Sequence, residues 1–121
     1  MTETILTEEQ LQEKLKYWQE RLRLRDWDIT AQIVPLSLMD DKSHGGECAW
    51  LMQSKVARIN ILRDEDYQGF AALLPDDMEQ TLVHELLHLH FAPMDDDKYY
   101  MPIEQAIESI SKALVEESRS K

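Results

Sequence analysis

The sequence predicts an α+β fold in which a small, mainly antiparallel sheet of three strands packs against an N-terminal, a central and a C-terminal helix. Three observations carry this prediction. Apolar residues recur at helical spacing near both ends of the chain, three short β-rich runs lie between them, and a long apolar stretch with a helix-start signal follows the runs. With 121 residues the chain is expected to form one domain, residues 1–121, around a single core.

The elements follow in order. Thr7-Glu8-Glu9-Gln10 matches a capping box, with the threonine as N-cap and Gln10 at the third helical position. Leu11, Leu15, Trp18 and Leu22 then recur one turn apart, so a packing helix is expected from about Thr7 to Arg25, with Arg21, Arg23 and Arg25 near its C-terminal end. Trp27 to Val34 alternates and is β-rich, and Pro35 ends it. Residues 36–46 hold Asp40, Asp41, Ser43, His44 and two glycines, a loop composition. Glu47–Met52 and Val56–Leu62 read as two further strands joined by a turn at Gln53-Ser54-Lys55. In the latter, Ala57, Ile59 and Ile61 alternate with Val56, Arg58 and Asn60, the pattern of an edge strand or a half-exposed sheet.

Asp64-Glu65-Asp66 opens a connection that is expected to include a short helix from Phe70 to Leu74. Pro75-Asp76-Asp77 then signals a helix start, since proline is tolerated in a first turn and acidic groups favour the positive end of the helix dipole. This helix should run from about Asp76 to Phe91. Its second half is apolar nearly all round, which marks a central buried element, and Pro93 ends it. A last helix is expected from near Pro102, with Ile103, Ile107, Ile110 and Leu114 on one stripe.

Charge narrows the function. Thirteen basic against twenty-four acidic residues give a formal charge of −11, so phosphate backbones and anionic lipid are repelled and neither nucleic acid nor a membrane surface is expected as partner. No apolar run approaches the roughly 18 residues that span a bilayer. The first residues, MTETILTEEQLQEK, lack the basic and apolar regions of a secretory signal, so a cytoplasmic location is expected. The single cysteine, Cys48, excludes an intramolecular disulfide and a cysteine-based zinc knuckle.

The chemistry is concentrated in His84-Glu85-Leu86-Leu87-His88. Two histidines four apart on a helix share a face, and their imidazoles can converge on one cation, with zinc the natural choice for histidine nitrogen. Glu85 is rotated by about 100° from His84, so it is free to take a proton from water bound to that ion, whose pKa zinc lowers towards about 7. A catalytic zinc wants a third protein ligand, and the final helix offers Glu104 and Glu108, four apart beside its apolar stripe. Glu104 is the expected ligand; Glu108 is the alternative, or accepts a hydrogen bond from a ligand imidazole. His90 lies about 200° from His88 and should point away. His44, Tyr99 and Tyr100 are candidate donors to a developing oxyanion.

These residues resemble the zincin metallopeptidases. His84-Glu85-Leu86-Leu87-His88 followed by the helix Glu104-Gln105-Ala106-Ile107-Glu108 is similar to the gluzincin pattern of two histidines and a downstream glutamate, in a compact version. No further His-x-x-Gly-x-x-His arm follows, so the metzincin pattern is not matched. The leading helix, the Trp27-Asp28-Ile29 strand and the Ala57-Arg58-Ile59-Asn60-Ile61 strand also resemble the layout of small phage- or prophage-encoded metallopeptidases and of SprT-like and ImmA/IrrE-like domains. The resemblance implies one zinc ion held by His84, His88 and Glu104, Glu85 as general base, and a protein or peptide substrate. It also implies an edge strand that takes the substrate by β-addition, a part assigned to residues 56–62 with Ala57, Ile59 and Ile61. The expected activity is selective hydrolysis of a peptide bond. The alternative is a zinc-stabilised module that holds a peptide on the same strand without cutting it.

Overall fold

A computed structural model describes residues 3–67 and 74–121. Helix α1 (Glu8–Arg21) begins at the capping box: Thr7 accepts from the Gln10 backbone N–H, and Gln10 accepts in return from that of Thr7. The helix ends four residues before Arg25. The Leu24 N–H bonds the Gln19 carbonyl and the Arg23 N–H bonds that of Glu20, while Arg23 takes φ 61°, so a Schellman motif closes the helix without glycine. Leu24, just beyond it, is buried.

Strands β1 (Asp28–Val34), β2 (Gly46–Leu51) and β3 (Val56–Leu62) form one sheet in the order β1-β3-β2. The β1–β3 pair is parallel and the β2–β3 pair antiparallel, so the sheet is mixed rather than mainly antiparallel. Residues 56–62 are therefore the central strand and not an edge. The polar positions that suggested an edge have another cause: α2 covers only one face of the sheet, and on the other a small cluster of Val34, Leu62, Met39 and Leu36 covers only the Leu62 end of the strand. On the other side Gln32, Asn60 and Glu47 stand in register across all three strands, with Gln32 donating to Asn60 and Asn60 to Glu47. Asn60 is thus buried but satisfied.

The two real edges differ. On β1, the Ala31 carbonyl accepts from the Gln12 side chain and the Ile33 N–H donates to Glu8, so α1 occupies that edge. On β2, Gly45 and Leu62 form a hydrogen-bonded pair, and by antiparallel alternation the backbone groups of Gly46, Cys48 and Trp50 point off an edge that no other described strand covers.

Helix α2 (Met78–Phe91) lies across the covered face, between the sheet, α1 and helix α3 (Tyr100–Arg119). Asp77 caps α2 through the Gln80 N–H. Met78, Leu82, Val83 and Leu86 join Leu11, Ile59, Ile61 and Ile107 in the core. The buried Glu79 is paired rather than stranded, accepting from Trp18 Nε1 at 2.7 Å and from Arg119 at 3.2 Å. Helix α3 starts two residues before Pro102. Its buried stripe is Ile107, Ser111 and Val115, flanked by Ile103 and Leu114, and Ile110 faces outward. The short helix expected from Phe70 to Leu74 falls largely outside the described residues.

Candidate metal centre

The His-Glu-x-x-His segment lies in the middle of α2, where the i, i+4 spacing sets His84 and His88 on one face toward α3. From α3, Glu104 reaches between them: its Oε2 is 3.2 Å from His84 Nε2 and its Oε1 is 2.7 Å from His88 Nε2. One ligand atom from each of the three residues lies within 4.8 Å of the other two. Two imidazole nitrogens and one carboxylate oxygen so gathered suit a divalent ion such as zinc. Glu108, one turn further along α3, sits on the other nitrogen of His84, with Oε1 3.2 Å from Nδ1, and also accepts from Gln80 at 3.4 Å. The two candidate glutamates thus occupy different places: Glu104 faces both Nε2 atoms, and Glu108 orients one ring from behind.

Without a metal these groups form an ion cluster. Burial, the largest influence on His84, disfavours its charge, but hydrogen bonds to Glu104 and Glu108 and the nearby Glu85 outweigh it and raise its pKa to about 10. The hydrogen bonds from His84 and His88 hold the Glu104 carboxyl far below the usual range. Glu108 is lowered too, chiefly by His84.

Glu85 stands apart from this cluster. It is 7% exposed and has no hydrogen-bond partner among the described residues. Burial raises its pKa against the pull of the two histidine side chains. Gly46 of β2 packs against it. A Cβ there would lie 3.3 Å from Glu85 Oε2 and 2.4 Å from Thr81 Cγ2, so only glycine lets the strand approach α2 this closely. Trp50, two pleats along the same face of β2, stacks on the His88 ring with centroids 6.4 Å apart and planes 20° apart. Neither contact is visible in the motif. The period-2 placement of Gly46, Cys48 and Trp50 was the available signal, but it needs the strand's partner helix to be read.

Two clefts meet at this point. One, of about 260 Å³, runs between β2 and the start of α3; the other, of about 460 Å³, runs along α3 towards Arg119. His84, Glu85, Glu104, His44 and Gly46 line both. His44 is at the rim, its Nδ1 2.6 Å from Asp41 Oδ2. Tyr100 lines the smaller cleft, whereas Tyr99 lines neither and carries Lys98 Nζ 4.9 Å from its ring centre. The paired tyrosines therefore separate at the α3 start, and of the two only Tyr100 lines a cleft. His90 points away, bonding the Leu22 carbonyl at the end of α1. Ala57, Ile59 and Ile61 are buried under α2 on the central strand and offer no backbone to a substrate. They are therefore not the substrate edge that the sequence suggests, since both sides of β3 are already paired. Cys48 lines the smaller cleft, but burial and the charge of Glu85 push its thiol up to about 12, which favours the neutral thiol over the nucleophilic thiolate. No helix among the described residues is long and apolar enough to cross a membrane. No family model, no curated protein and no solved structure matches the chain.

Proposed function

We propose that this chain is a zinc-dependent metallopeptidase of minimal size, in which His84, His88 and Glu104 hold the ion and Glu85 is the general base. The observation that carries the reading is Glu85 itself: a buried carboxylate with no hydrogen-bond partner, beside the three-residue donor set and opening on both clefts. A group so placed costs stability, and active sites are where such costs accumulate. A zinc ion bound there supplies Lewis acidity for the peptide carbonyl and acidifies water.

The chain's own residues do the rest. Glu85, with its raised pKa, accepts a proton from the attacking water and returns it to the leaving amine. Glu108 holds the Nδ1 proton of His84, so that Nε2 is the nitrogen left for the ion once its proton is displaced. The open edge of β2, with the backbone groups of Gly46, Cys48 and Trp50, offers pairing to an extended peptide crossing the clefts.

That open edge also favours a second reading, a module that holds a peptide there without cutting it. One experiment separates the two. Untagged protein is assayed for zinc, and the zinc-loaded form is incubated with a peptide library read by mass spectrometry, beside Glu85→Gln and the His84→Ala, His88→Ala double variant. The peptidase reading expects about one zinc per chain and cleavage that falls by about 10²–10⁴ in Glu85→Gln with zinc retained. Zinc with peptide binding but no cleavage supports the binding module. No zinc in the wild type overturns both.

A further inference from the structure

We infer that the smaller cleft receives a cationic side chain, arginine or lysine, of the peptide held at the His84–His88–Glu104 centre. This rests on the metallopeptidase reading and names the substrate class of that site. The walls of the cleft are apolar and mostly aromatic: Trp50 from β2, Phe91 from the end of α2, and Tyr100 and Ile103 from the first turn of α3. Its rim is a run of three aspartates, Asp95, Asp96 and Asp97, with Asp41 also lining the cleft. No lysine or arginine is among the described residues that line it.

The acids are not equally free. Asp41 is taken up by Ser43 and His44, and Asp96 caps the Lys98 N–H. The side chains of Asp95 and Asp97 have no partner among the described residues. Independently of the rim, the unpartnered and buried Glu85 opens into the same cleft, so its inner end is built for a ligand.

The occupant that fits aromatic walls and an acidic mouth is a long side chain with an apolar stem and a positive head. Arginine should be preferred to lysine, because a planar guanidinium stacks on aromatic faces and bonds carboxylates two at a time. The other cleft is unlike this one. Lys112 and Arg119 line it beside Glu108, Glu116 and Asp77, so its charges are mixed. The asymmetry gives the groove a direction, with the cationic residue on the side of β2 and the α3 start.

The test uses the zinc-loaded full chain and four N-acetylated amino-acid hydroxamates, of arginine, lysine, norleucine and glutamate, whose shared head chelates zinc. Affinities are measured by calorimetry at low and high salt, for the wild type and for an Asp95→Asn, Asp97→Asn variant. The proposal expects the arginine compound to bind about tenfold tighter than the norleucine one, with glutamate weakest and the preference shrinking in high salt and in the variant. Equal affinities, or a preference for norleucine or glutamate, overturn the proposal and leave the zinc reading standing. No binding of any hydroxamate to protein that holds zinc overturns the accessible metal centre, and the proposal falls with it.

Discussion

The Nδ1 nitrogen of His84 lies 3.2 Å from Oε1 of Glu108, on the opposite side of the ring from Glu104. Two glutamates one helical turn apart thereby occupy opposite sides of one histidine, and the proposed centre gives them different tasks. Glu104→Ala should abolish stoichiometric zinc binding. Glu108→Gln should weaken it by about 10- to 100-fold, the usual effect of removing an outer hydrogen bond from a ligand imidazole. Competition against a chromophoric chelator measures both, and equal effects would count against the division.

In the proposed centre, protons and zinc compete for the same nitrogen. At pH 7 the metal-free His84, raised to about 10, carries a proton that zinc must displace. Zinc binding should therefore release at least one proton from His84 at neutral pH and tighten as pH rises. Calorimetry in buffers of different ionisation enthalpy counts the protons; no release would contradict the ion cluster.

The same shifts set the pH dependence of the metal-free fold. His84 is raised, so its stabilising share is complete below its ordinary value of 6.5 and is lost as pH climbs through about 10. Glu104 is lowered, so its share is complete above its ordinary value of 4.5 and is lost as pH falls well below it. The contribution of this pair is greatest between those two values. The metal-free Tm should fall on both sides of that window, and saturating zinc should flatten the alkaline limb.

Glu85 has the opposite sign. Burial raises its pKa, so its ionisation costs stability as pH rises above its ordinary value of 4.5. Glu85→Gln should raise the Tm of the metal-free protein at pH 7 while lowering cleavage by the zinc-loaded form by about 10²–10⁴. A drop in Tm would mean that the carboxylate is structural and would weaken its role as base.

Gly46 is constrained by Thr81 as much as by Glu85. Gly46→Ala puts a methyl group 2.4 Å from Thr81 Cγ2 and should cost about 1–3 kcal/mol by overpacking. Adding Thr81→Ser removes that methyl and keeps the hydroxyl bond to the Asp77 carbonyl, so it should restore part of the loss. Urea denaturation of the three variants checks the coupling.

Local chemistry made much of this protein legible in its residues. The Thr7–Gln10 box starts α1 through bonds that span three residues, and the spacing of His84 and His88 turns both rings to one face wherever that helix packs. Both depend on neighbours in the chain. What depended on distant segments was decided only by the tertiary structure. Alternation in residues 56–62 reports that one face is apolar and the other mostly polar, and says nothing of which strands lie alongside; pairing made β3 central and left β2 at an edge that no other described strand covers. Which of Glu104 and Glu108 faces both Nε2 atoms turned on how α3 rolls against α2, because residues four apart share a face and only the approach of the partner helix separates them. The stack of Trp50 on His88 and the fit of Gly46 beside Glu85 arise from the same cause, a strand and a helix brought together by a core that spans the whole chain.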